Sequence, residues 1–294
     1  GAERTESGRS GKRNYPQRIR FKMQINKKDM DTNHTNTPNF AVELTRLAAQ
    51  QSNNIARYTL SDGRTVWIRK AKPHNPAWRY ALLGMITKPL HLRVLKPVPN
   101  LGGEKAIAVE STRLRTLYKA GIRVPELLAV QSNALMMGNL TGIALDVRIE
   151  QEAGEGHLDA WEAGLSAIED VHRRGQFLSQ AFARNCMIDS DKISFLDFED
   201  DPSEVLTLEE CQSRDWLCYL HSTSLLLKNY GLLKQASVLW HDKLLEQPET
   251  VQKLVLQTVR PIRWIHCISH SYWGRDALRL AALTTLFILA DSYF

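Results

Sequence analysis

Apolar positions along the chain follow two periods, and the switches between them lay out the elements. Val42, Leu44 and Leu47 within Phe40 to Gln50 predict a short helix or strand leading into a polar run, Gln50 to Asn54. Ile55 to Thr59 and Arg64 to Ile68 flank Ser61-Asp62-Gly63, which predicts two strands joined by a tight turn. Helical spacing returns over Glu104 to Lys119, where Ile107, Leu114, Leu117 and Tyr118 share a side, Gly121 suits a C-terminal cap and Pro125 stops continuation. Pro125 to Val130 and Ala134 to Gly138 read as strands, Asn139 to Gly142 as a connection and Leu158 to Arg173 as a helix. Residues 178 to 202, LSQAFARNCMIDSDKISFLDFEDDP, predict a loop ending in Asn185, a strand (Cys186 to Ile188), a polar turn and a strand (Ile193 to Leu196), with Asp197 where that strand stops.

The rest is helical in pattern. One helix starts within Leu206 to Gln212, the next begins at Arg214 and runs over Trp216 to Asn229, and Leu232 to Leu245, Glu249 to Val259 and Asp276 to Tyr293 follow. Leu280 to Ala290 is nearly continuously apolar, but a bilayer span needs about 20 such residues, so a buried helix is expected. Strands early and helices late predict an α+β fold, with a β-rich part over 39–138 and a helical part over 139–294. Residues 1–38 are polar, basic and aperiodic, which predicts disorder; they hold no apolar stretch of signal-peptide length, and Met23 is an alternative start.

Composition narrows the function. A 43 % hydrophobic share of 294 residues supports one large domain or two lobes. The four cysteines lack C-x-x-C spacing, which fits reduced thiols in a cytoplasmic protein better than a zinc site. A net charge of +6 favours anionic partners, namely nucleotide phosphates or lipid headgroups. No repeat, RNA-binding signature or basic-aromatic groove is present, so no nucleic-acid partner is expected. Residues 71–103 contain no acidic side chain but carry Lys72, Arg79, Lys88, Arg93 and Lys96, with Trp78, Leu82, Met85 and Ile86 along one face of a helical stretch. Such an insertion suits peripheral contact with an anionic membrane at its inner face, or packing on the β-rich part with its cations solvated.

Candidate chemistry centres on Asn185 and Asp197. An amide and a carboxylate on adjacent strand ends offer two oxygen ligands to a hard cation such as Mg²⁺, which takes the rest from phosphate and water. Asn185 followed by Asp197-Phe198 resembles the catalytic loop and metal-binding motif of the protein-kinase-like fold. VWIRKA, residues 66–71, resembles the kinase strand that supplies a phosphate-clamping cation, in the slot of either Arg69 or Lys70. AVESTRLRTLYKAGIRVPELL, residues 108–128, resembles the helix C region of bacterial lipopolysaccharide-core (Kdo/heptose) kinases and of the small atypical kinase of the KEOPS complex, with Glu110 where the clamp's partner stands.

That resemblance implies a two-lobed fold, ATP and Mg²⁺ as cofactors, Asn185 and Asp197 as metal ligands, and Asn139 and Leu140 as the hinge that meets the adenine. It also implies that Asp215 accepts hydrogen bonds from the catalytic-loop backbone, and that His172 is a structural histidine beside that loop. The chain departs from the family in three places. The base position five residues before Asn185 holds Gln180, Glu199 stands third in the Asp-Phe-Gly motif, and the segment before the first strand lacks phosphate-approaching glycines. Two functions stay open: an atypical phosphotransferase acting on an envelope sugar or lipid, with Gln180 positioning the acceptor, and a pseudokinase that binds nucleotide or regulates a membrane enzyme.

Overall fold

Asn39 opens the first element, its side-chain oxygen accepting from the backbone N–H of Ala41 (3.2 Å) and so capping helix α1, Phe40–Gln50. The computed structural model describes residues 38–71, 102–267 and 274–292, and the basic insertion lies almost wholly outside them, as do residues 1–37. Among the described residues the chain is an α+β protein of eight α-helices and two small antiparallel sheets.

Strands β1 (Ile55–Thr59), β2 (Thr65–Lys70), β3 (Leu127–Gln131) and β4 (Ala134–Gly138) form the first sheet in the order β1-β2-β4-β3. Helix α2, Gly103–Lys119, lies between β2 and β3 in sequence. Residues on alternate positions of a strand face opposite sides, and both sides of this sheet are covered. Val66 and Ile68 of β2 join Ala134 and Met136 of β4 against Leu44, Leu47 and Ala48 of α1. Leu135 and Met137 face the other way, into the larger core with Ile107, Leu114 and Leu117 of α2. β2 runs two residues past the expected end at Ile68, because Arg69 and Lys70 pair with Leu135 and Ala134 of β4.

The second sheet, β5 (Ile143–Ala144), β6 (Cys186–Asp189) and β7 (Lys192–Phe195), carries the candidate ligands at one end. A two-residue turn with Ser190 at φ 53° joins β6 to β7, pairing Cys186 with Phe195. Gly142 leads into β5 at φ +100°, and a Cβ there would strike the Ile188 carbonyl.

Helices α3 (Leu145–Gly154), α4 (Asp159–Arg173), α5 (Leu208–Asn229), α6 (Leu233–Leu245), α7 (Glu249–Val259) and α8 (Arg275–Asp291) complete the fold. The larger core runs from α2 and β4 through these helices to Phe287 and Ala290 of α8. The two helices expected over 206–229 are one, α5, opened by a Thr207–Glu210 capping box. Its interior holds Gln212, Ser213 and Asp215, all buried, and those polar positions break the apolar period that would have joined the two halves. Among the described residues no helix is long and apolar enough to cross a membrane.

All four cysteines are free thiols. Burial pushes the thiols of Cys211 and Cys218 up to about 12 and about 11 respectively, and raises that of Cys186 further. At pH 8 a thiol reagent should therefore label Cys267, which is exposed, on the folded protein and all four cysteines after denaturation. Rapid modification of a second thiol without denaturant would contradict this packing.

Candidate functional site

Register decides which strand cation reaches the site. Arg69 shares its face with Trp67 and Leu135, on the side of α2, whereas Lys70 shares the α1 side with Val66 and Ile68. The Arg69 guanidinium accordingly pairs through Nε with Glu110 Oε2 (3.3 Å) and through Nη1 with Asp197 Oδ1 (3.2 Å) and Glu199. Lys70 Nζ instead donates to the Gln51 carbonyl (2.9 Å), tying the connection after α1 to the sheet. Burial works against the Arg69 charge, but the carboxylates of Glu110, Asp197 and Glu199 outweigh it and hold the guanidinium above its ordinary pKa. Glu110 is 1 % exposed, so this pair sits inside the core rather than on a surface.

The loop before β6 is held from several sides. Asp215 of α5, fully buried, accepts from the Leu178 backbone N–H (2.7 Å) and lies 3.1 Å from His172 Nε2 through the same oxygen. Gln212, one turn earlier on α5, donates to the carbonyls of His172 (3.2 Å) and Gln176 (3.1 Å). From the opposite side Arg113 of α2 donates to the Phe177 carbonyl (2.6 Å) and lays its guanidinium 3.8 Å from that ring's centre. Desolvation lowers the Arg113 pKa, opposed by Asp201 and Asp215. Asn185 donates through Nδ2 to the Gln180 carbonyl (3.2 Å), which leaves its Oδ1 as the atom to offer a cation.

The acidic run after β7 divides its work. Asp197 stands at φ +70°, a left-handed conformation that a non-glycine residue keeps only when its surroundings demand it. Phe198 is buried at 1 % exposure, and Glu199 turns back to Arg69. Asp200 Oδ2 accepts from Gln180 Nε2 (2.7 Å), and Asp201 caps a short 3₁₀ turn by accepting from the Ser203 N–H and hydroxyl. Asn139, just after β4, accepts from the Trp67 indole through Oδ1 (2.9 Å), and half-buried Leu140 follows it.

Arg69, Glu110, Asn185, Asp197 and Gln180 are thus drawn together by β2, α2 and the β6–β7 hairpin, while Lys70 stands apart. Arg113, Asp200 and the Glu199 contact were not foreseen from sequence. Arg113 had a signal: it lies three residues after Glu110 on the buried face of α2, a second charge in an apolar stripe. Among the described residues no group of three or more His, Cys, Asp and Glu side chains is arranged to hold a metal. Asn185 and Asp197 are nonetheless hard oxygen donors beside a surplus of carboxylates over one guanidinium, a donor set that fits Mg²⁺ completed by phosphate and water. No family model and no curated protein matches the chain.

Arg69→Ala strips a buried carboxylate of this cation and should cost about 3 kcal/mol of stability, whereas Lys70→Ala loses one bond to a carbonyl and should cost about 1 kcal/mol. Urea unfolding of the two variants checks the ordering, and the reverse order would mean that Arg69 is not the cation that neutralises Glu110.

Proposed function

We propose that the protein is an atypical, two-lobed kinase-like phosphotransferase that uses ATP with Mg²⁺. The observation that carries this proposal is the meeting of Arg69 and Glu110 with Asp197 at the end of the β6–β7 hairpin that Asn185 begins. In this reading the four-stranded sheet with α1 and α2 is the small lobe, and the chain from Asn139 onward is the large one.

Each residue has a task that its surroundings support. Arg69, held charged by its carboxylates, attracts the phosphates, and Asp215 with Arg113 keeps the loop from drifting. Asn185 Oδ1 and the Asp197 carboxylate would hold Mg²⁺, which when bound neutralises charge on the β- and γ-phosphates. Gln180 orients the acceptor but takes no proton. Resemblance alone points to an envelope sugar or lipid as that acceptor, at a membrane surface reached through residues 71–103.

A second reading, a pseudokinase that regulates a membrane-associated enzyme, draws on one contact. Glu199 already occupies a donor of Arg69, so phosphate has to compete for the clamp.

With MgATP at about 100 times its Kd, binding should stabilise the fold by about 2.7 kcal/mol, a gain that disappears with chelator or in Asp197→Ala. Equal melting temperatures with and without MgATP would overturn both nucleotide readings. Binding without ATP consumption above the Asp197→Ala background would select the pseudokinase.

A further inference from the structure

Gln180 stands where a proton acceptor is needed and has none to offer, since an amide is not a base near neutral pH. The structure places a carboxylate on it. Gln180 Nε2 donates to Asp200 Oδ2 at 2.7 Å, and the main-chain carbonyl of Gln180 accepts from Asn185 Nδ2, so the residue that holds Asp200 also holds the candidate metal ligand. Phe198 is packed into the core, Glu199 points to Arg69, and Asp200 turns the other way, towards the loop. Gln180 and Asp200 are both half-buried, and Asp200 Oδ1 is enclosed, so Oδ2, which takes the Gln180 amide, is the oxygen through which Asp200 would meet an acceptor. A hydrogen bond donated to a carboxylate favours its ionised form, the form that can accept a proton.

We propose that Asp200 is the general base of this site, displaced from the loop to the segment after Asp197 and aimed by Gln180. The proposal rests on the phosphotransferase reading. In the step it describes, the acceptor's hydroxyl oxygen forms a bond to the γ-phosphorus of ATP, and its proton passes to the Asp200 carboxylate. The bond from the γ-phosphorus to the β,γ-bridging oxygen breaks, and ADP leaves with that electron pair. Asp200 then returns the proton to solvent. Gln180 takes no proton: its amide holds Asp200 while it orients the acceptor.

The test is ATP turnover by the full chain with MgATP, using water and a membrane lipid extract as acceptors. Asp200→Asn keeps an oxygen for Gln180 Nε2 to donate to but removes the base. It should lower turnover about 100-fold while MgATP affinity and melting temperature stay at wild-type values. Gln180→Ala should lower turnover without weakening MgATP binding. Gln180→Asp combined with Asp200→Asn returns a carboxylate to the pair and should recover activity even if the single variant folds poorly. Wild-type turnover that Asp200→Asn leaves within about threefold, or a fall explained wholly by lost MgATP affinity, overturns the assignment of Asp200 and leaves the phosphotransferase standing. No wild-type turnover above the Asp197→Ala background, with either acceptor, overturns the phosphotransferase and the base together.

Discussion

One guanidinium holds the candidate site in shape. Glu110 comes from α2, while Asp197 and Glu199 come from the chain after β7, and Arg69 of β2 meets all three. Two carboxylates roughly 4 Å apart repel by about 4 kcal/mol at an effective dielectric of 20, so the cluster cannot close without its cation. Burying that cation has its own desolvation cost, which the three carboxylates together outweigh. Sheet, helix and hairpin, which already share one apolar core, are therefore tied by charge as well at this point.

Helix α2 carries a second tie. Glu110 and Arg113 stand three residues apart on its buried face, the first reaching the strand and the second the loop at Phe177. A shift of α2 would move the cation and the loop together, so their spacing is set by one rigid element. Asp215 supplies the opposing anchor from α5, and its burial makes the Leu178 and His172 contacts hard to exchange for water. The edge-to-face contact of His172 with Trp216, and the packing of Trp216 on Trp240, continue that anchor into the helical core.

The acidic segment shows how four like charges coexist within five residues. Asp197 and Glu199 share Arg69, Asp200 is taken by an amide, and Asp201 caps a turn. Each is met by a donor, two of them by the same guanidinium, which keeps mutual repulsion from unravelling the segment. The same arrangement commits a donor of Arg69 to Glu199.

Much of this was written in local signals. The tight turn at Ser61-Asp62-Gly63, the stop at Gly121 and the polar turn between β6 and β7 marked the elements; Asn185 and Asp197 stood out as oxygen donors at strand ends, and Glu110 and Asp215 through the resemblance to kinase motifs. Local sequence could not choose between Arg69 and Lys70. Alternation puts the two on opposite faces, but both faces of that sheet are covered by helices, so hydrophobicity favours neither, and only the pairing with β4 beneath α2 turned Arg69 towards Glu110. Sequence likewise read Glu199 to Asp201 as one charged run, since the partners of Glu199 and Asp200 lie more than a hundred positions away on β2 and about twenty back in the loop. The buried polar residues of α5 hid its continuity for a related reason: Gln212 and Asp215 are inside because of what they bind, not because they are apolar. Periodicity reports burial that is driven by the hydrophobic effect, and burial driven by a distant hydrogen bond becomes visible only once the chain has folded.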